Sequence, residues 1–197
     1  MIPSIILAAG SSGRMGSPKA LLKIGQKSFL QHIIGILSNR DIRLITVVLG
    51  AHAEEIKPTL ADLPVNVIIN DQWQSGQLSS LITGLDAIRE SESGSIVWPV
   101  DHPLVSGIVI DELLNAFEND PDKIIIPKNN GRRGHPVIFP KSLFNDLRSA
   151  PVNEGARSVV HRNEELVYEV ETGEEGVRIN IDTPEDYKKF VVDVWNK

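Results

Sequence analysis

The residues best placed to do chemistry stand close to the start of the chain. Ser4–Leu22 reads SIILAAGSSGRMGSPKALL: a short apolar run, then Gly10, Gly13 and Gly16, with Arg14, Pro18 and Lys19 among and after them. Glycines let a backbone curl and present its N–H groups to an anion. Arg14 offers a bidentate fork to phosphate oxygens. Lys19 is a point charge that can follow phosphoryl charge as it shifts, and Pro18 stiffens the approach to it. The loop leaves the end of an apolar strand, where open α/β sheets bind ligands. It is not a Walker A loop, because Ser17 and Pro18 separate Gly16 from Lys19. Nor is it a dinucleotide fingerprint, which needs its first two glycines closer than Gly10 and Gly13. The plain alternative is a flexible surface loop with two solvated cations.

Two carboxylates follow strand-like runs. SIVWPVDHPLVS places Asp101 just after one, and RINIDTPEDY places Asp182 after another. A carboxylate at a strand end, facing the crevice of the loop, suits Mg²⁺. Asp182 serves either as a second ligand or only as a cap for the last helix, and His102 is expected as a solvent-facing neighbour. No histidine pair has zincin spacing, so zinc is not expected. KNNGRRGHPVIF gathers Lys128, Arg132, Arg133 and His135 in an acidic chain. That is either an acceptor site for a second anion or a solvated hairpin tip. NDQWQSGQLSSLITGL runs through a polar turn into a helix, and either Ser79 or Ser80 there suits an N-cap. Asp120-Pro121-Asp122 spells a metal motif but sits where a helix ends in a turn. The chain has no cysteine and no G-x-S-x-G elbow, so covalent catalysis is unsupported.

LAAGSSGRMGSPKALL closely resembles the signature of nucleotidyltransferases that activate small phosphorylated molecules with a nucleoside triphosphate. The chain is similar to the MobA-like NTP transferase family, and its Ala-Ala-Gly form looks most like the molybdenum cofactor cytidylyltransferases. Asp101-His102-Pro103 and Asp182-Thr183-Pro184-Glu185-Asp186 also resemble family segments, as does Gly134-His135-Pro136. The resemblance implies that Leu7, Ala8, Ala9, Gly10 and Ser11 meet base and ribose, with Ser80 beside the base. It implies that Arg14 and Lys19 hold the triphosphate, that Asp101 and Asp182 hold Mg²⁺, and that Arg133 and His135 face the acceptor. The implied reaction is CMP transfer from CTP to a phosphorylated acceptor, molybdopterin, with release of pyrophosphate. Guanylyl transfer, another acceptor phosphate, or nucleotide binding without turnover are the alternatives. A transient contact with a molybdoenzyme or cofactor carrier would then be expected.

These groups need elements to position them. SIIL, LITVVLG, VNVIIN, SIVWPVD and KIIIP read as strands, alternating with helical patterns in FLQHIIGILSNR, AEEIKPTLADL, SSLITGLDAIRES and GIVIDELLNAFEND. Near-continuous apolar strands separated by helices imply a parallel sheet covered on both faces. After Pro127 turn signals precede a strand in PVIFP; two short helices, strand-like ELVYEVET and GVRINID, and a last helix capped at Thr183 follow. The expectation is one α/β domain over 1–197 with a mixed, mostly parallel sheet, in the Rossmann-like, GT-A-like three-layer form that the resemblance implies. Residues 1–127 would bind nucleotide, and 128–197 would bind the acceptor and close the fold.

Composition narrows the classes. Hydrophobic residues make up 41% and charged residues 23% of 197, an ordinary globular mix. A net charge of −6 argues against a duplex nucleic-acid binder. No apolar run approaches the roughly 20 residues of a membrane span, and the N-terminus has no basic leader. With no cysteine, the chain is expected in the cytoplasm.

Overall fold

The computed structural model describes residues 2–40, 42, 44–89 and 92–195. The first strand, β1 (Ser4–Ala8), is buried throughout. Its loop leads through a small hairpin, β2 (Lys23–Ile24) and β3 (Lys27–Ser28), into α1 (Phe29–Ser38). The Ser28 hydroxyl accepts from the Gln31 N–H while the Gln31 side chain accepts from the Ser28 N–H, a reciprocal cap. Phe29, Leu30, Ile33, Ile34 and Leu37 fall on one face by helical spacing, and all are buried. Each contributes up to about 1.5–3 kcal/mol of apolar burial.

There follow β4 (Ile45–Leu49), α2 (Ala53–Ile56), β5 (Asn66–Ile69), α3 (Gln77–Leu85) and β6 (Gly94–Pro99). The helix expected in AEEIKPTLADL is shorter. It ends at Ile56, and Lys57–Leu60 tighten into a 3-10 turn, because Pro58 has no N–H for the helical ladder. The helix expected in SSLITGLDAIRES ends at Leu85, followed by Asp86 as its C-cap, whose Oδ1 accepts from Arg148 Nε at 3.0 Å. Glu90 and Ser91, its expected end, lie outside the described residues.

The second half holds α4 (Gly107–Asn119), β7 (Ile124–Asn129), β8 (Arg132–Arg133), β9 (Val137–Pro140), α5 (Phe144–Arg148), α6 (Ala156–Arg162) and β10 (Val167–Glu171). GVRINID does not form the expected strand. Glu175–Arg178 make a 3-10 turn, and the segment then crosses the strand ends. Its backbone groups bond different loops: the His135 N–H donates to Val177 O at 2.9 Å, and the Ile181 N–H to Asp101 O at 2.8 Å. No single neighbour offers it a ladder. The last helix starts as expected, with Thr183 as cap and Pro184 first, in α7 (Pro184–Tyr187). It widens into a π segment over Lys188–Val192 before α8 (Asp193–Trp195); Asn196 and Lys197 lie outside the described residues.

The strands form one sheet in the order β10-β7-β9-β6-β1-β4-β5, with β8 beside β7. β1 pairs parallel with β4 and β6, β4 with β5, and β7 with β10, while β9 runs antiparallel between β6 and β7. Successive side chains of β1 point to opposite faces. Ile6 and Ala8 pack with Phe29 and Ile33 of α1 and Val109 and Leu113 of α4. Ile5 and Leu7 pack with Leu78 and Leu81 of α3 and Phe144 and Leu147 of α5. The three layers are therefore real, and the mixed sheet matches the expectation. Parallel pairing brings the C-terminal ends of β1, β4 and β6 to one edge, with Leu7 opposite both Val48 and Pro99.

Candidate active site

Beyond Ala8 the chain stays tied to its neighbours for one more step. Leu7 O accepts from the Val100 N–H at 3.0 Å, and Ala9 O from the Ala51 N–H at 3.1 Å. A Cβ at Gly50 would lie 2.6 Å from Ala9 O and 2.7 Å from Trp73 Cβ, so only glycine lets these segments meet. The loop then turns on a serine: Ser12 has φ 53°, and its carbonyl accepts from Met15 at 2.9 Å and Gly16 at 3.1 Å. The Ser12 hydroxyl accepts from the Lys19 N–H at 3.1 Å. Met15 is buried and anchors the loop, leaving the Arg14 side chain 72% exposed.

Four charged groups from three distant parts of the chain meet here. Lys19 Nζ donates to Asp101 Oδ2 at 3.3 Å and contacts Asp182 Oδ1 more closely. Arg14 Nη2 donates to Asp182 Oδ2 at 2.7 Å. Burial alone would raise the Asp182 pKa, but the Lys19 hydrogen bond and the charges of Lys19 and Arg14 hold it below the usual carboxylate range. Asp182 is steadied from behind: its N–H donates to Asp186 Oδ2 at 3.1 Å, and Asp186 also closes the capping box with Thr183. Thr183, not Asp182, caps the helix, so the capping explanation of Asp182 does not hold.

Leu7, Ala8, Ala9, Gly10, Ser11, Lys19, Ser80 and Asp101 line one cavity of about 370 Å³, a size that suits a small ligand. Ser80 is inside α3 and not at its cap; it is buried, and its hydroxyl accepts from Asn70 Nδ2 at 3.0 Å. Trp73, half-buried, and His52 line the same cavity. His52 is a residue the motif reading missed. The signal that could have found it is its place just past an apolar strand that borders β1, as Asp101 lies just past β6.

A second cavity of about 570 Å³ adjoins the first, sharing Leu7, Gln77 and Pro99, and includes Arg133 and His135. His102 is not the solvent-facing neighbour expected. It is 7% exposed, its carbonyl accepts from Trp98 Nε1 at 3.0 Å, and its ring lies 4.6 Å from that of His135. Burial, despite the charges of Asp101 and Asp182, pushes its pKa down; burial and His102 push that of His135 down to about 3. The basic cluster is not one anion site. Arg133 pairs with Glu164 and with Glu169, the latter at 2.7 Å, Lys128 also pairs with Glu169, and Arg132 is exposed. Asp120 and Asp122 are exposed turn residues.

The donor set fits a hard cation. Among the described residues no three His, Cys, Asp or Glu side chains gather as a metal site. Asp101 lines the cavity, and Lys19 Nζ, which contacts both carboxylates, ties Asp182 to it; Mg²⁺ is commonly held by one or two carboxylates plus substrate phosphates. No helix is long and apolar enough to cross a membrane among the described residues.

Residues 4–166 match the sequence profile of the MobA-like NTP transferase domain. Nicotine blue oxidoreductase of Paenarthrobacter nicotinovorans is 26% identical, over 96% of this chain and 96% of its own. A probable molybdenum cofactor guanylyltransferase of Bacillus mycoides (strain KBAB4) is 26% identical, over 98% and 97%. Rv0371C of Mycobacterium tuberculosis H37Rv, solved in complex with manganese, superposes with a TM-score of 0.81 at 22% identity, covering 98% of this chain and 99% of that one. The last shows the shared GT-A-like fold. The matched profile covers most of the chain, including β1, its cationic loop and Asp101, and the chain therefore belongs to the MobA-like NTP transferase family, as a nucleotidyltransferase.

Proposed function

We propose that the protein transfers CMP from CTP to the phosphate of a small acceptor, molybdopterin, releasing pyrophosphate. The observation that carries this reading is Lys19 bridging Asp101 and Asp182 beside the loop that holds Arg14. An acceptor phosphate oxygen attacks the α-phosphorus; that P–O bond forms as the bond to the β-phosphate oxygen breaks, and pyrophosphate carries the electron pair away. A phosphate monoester is largely dianionic near neutral pH, so no strong base is needed. Catalysis then reduces to alignment and to neutralising charge as it develops. Lys19 and Arg14 exchange their carboxylate partners for phosphate oxygens. Asp101 and Asp182 would hold Mg²⁺, which when bound supplies further neutralisation of those oxygens. Leu7 to Ser11 and Ser80 form the wall for base and ribose, and Arg133 and His135 the wall for the acceptor. In this division residues 1–127 hold the nucleotide, and 128–197 bind the acceptor and close the fold, which returns Asp182 to Arg14 and Lys19. The setting is the cytoplasm, where a molybdoenzyme or carrier protein would take the product.

CTP is favoured by the likeness of Leu7-Ala8-Ala9-Gly10 to the molybdenum cofactor cytidylyltransferases. GTP is the second reading, supported by the guanylyltransferase named among the relatives. Thermal shift against CTP, GTP, ATP and UTP with Mg²⁺, followed by pyrophosphate release with molybdopterin, tests both, because bound ligand raises stability by mass action. A larger shift with GTP selects the guanylyl reading. Binding without pyrophosphate release rejects the enzyme reading for this acceptor.

A further inference from the structure

His52 makes two contacts that together define its charge state. Its Nε2 lies 2.9 Å from the backbone carbonyl of Ser11, and its Nδ1 lies 3.1 Å from Glu55 Oε1. A carbonyl and an ionised carboxylate only accept. Both contacts are hydrogen bonds only when both ring nitrogens carry protons. A neutral ring keeps one and sets a lone pair against the other acceptor. The Ser11 carbonyl accordingly raises the His52 pKa, burial opposes it, and the hydrogen bond and charge of Glu55 raise it further.

We infer that His52 is a positioning residue that, as an imidazolium, pins the phosphate loop for nucleotide binding and releases it on deprotonation; the inference rests on the nucleotide reading above. The peptide between Ser11 and Ser12 is planar, so holding the Ser11 carbonyl also sets the direction of the Ser12 N–H. Ser12 is the residue with positive φ on which the loop turns, and its hydroxyl holds the Lys19 N–H. One imidazole therefore braces a chain of contacts from the end of β4 to Lys19. The charged groups around it are Glu55 on its own helix and, lining the same cavity, Lys19 and Asp101. The imidazolium also adds positive charge to the wall that would face the triphosphate.

The first test uses the ligand-free protein. Across about pH 6 to 9, NMR should show the His52 ring titrating, with the amide resonances of Ser11–Gly16 moving at the same midpoint. In His52→Gln those amides should stay still, and in Glu55→Gln the midpoint should fall. The second test measures the Kd of CTP and of GTP over the same range. Near pH 6.5 His52→Gln should bind about tenfold more weakly, the scale of one lost charge-assisted hydrogen bond. The gap should close at high pH, with the loss in KM and with kcat changed less than about twofold. His52→Arg, which keeps two charged donors, should restore binding and remove the pH dependence. Parallel pH profiles for wild type and His52→Gln, or loop amides that ignore the His52 titration, would overturn the inference. Loop amides that follow His52 in a protein binding neither nucleotide would support the brace and reject the nucleotide reading instead.

Discussion

Asp182→Asn isolates the charge of one carboxylate while keeping its shape. In the ligand-free protein Asp182 accepts from both Arg14 and Lys19. The Arg14 pair is solvent-screened, since Arg14 is 72% exposed, and contributes at most a few tenths of a kcal/mol. The Lys19 pair is sheltered, with Lys19 14% and Asp182 21% exposed. Losing charge assistance while keeping an acceptor oxygen should cost about 1 kcal/mol in all. That is a drop of roughly 2–4 °C in Tm for a chain of this size. The pH dependence has a definite sign. The folded carboxyl is depressed, so its stabilisation is present above the unfolded pKa of about 4 and is lost as pH falls through the folded value. Wild type and variant should differ in urea unfolding at neutral pH and converge in acid. Nucleotide binding should split in two directions. With chelator present, the variant should bind CTP about three- to tenfold more tightly, because Arg14 and Lys19 no longer need to be drawn from a carboxylate. With Mg²⁺ present it should bind more weakly, because one oxygen ligand has lost its charge. A variant that weakens both forms equally, or that shows the same stability gap at low and neutral pH, would refute this account of the cluster.

Lys19→Ala and Asp101→Ala should each lose about 10²–10³-fold in pyrophosphate release while unfolding cooperatively; near-normal turnover removes that residue from the mechanism. Gly50→Ala should destabilise by about 1–3 kcal/mol in denaturant unfolding and weaken nucleotide binding, since the added methyl meets Ala9 O and Trp73 Cβ at 2.6 and 2.7 Å. Ala9→Gly should shift the Kd ratio toward GTP over CTP, and an unchanged ratio would remove Ala9 from base selection. Trp98→Phe strands the His102 carbonyl in the core, so calorimetry should show a loss of about 1–3 kcal/mol.

The elements and much of the site were legible in the chain because both are written locally. Apolar runs such as SIIL and SIVWPVD read as buried strands. The spacing of Phe29, Leu30, Ile33, Ile34 and Leu37 can only be one helical face. A carboxylate just past such a strand is carried to the sheet edge with it, so Asp101 could be placed beside the loop without coordinates. What topology alone decided is the partner of each polar group. The antiparallel insertion of β9 between β6 and β7 brings the chain just before it to the end of β6, so the His135 ring meets that of His102, and a presumed solvent-facing histidine is buried. The pairing of β10 with β7 puts Glu169 beside Lys128 and Arg133, neutralising cations that look free in the sequence. GVRINID carries strand-like residues but has no neighbouring ladder to join. Periodicity encodes which face is buried, since burial depends on a residue's own chemistry. Hydrogen bonds and ion pairs act over a few ångströms between residues distant in the chain, and only the folded path brings His52 to Ser11 or Lys19 to Asp182.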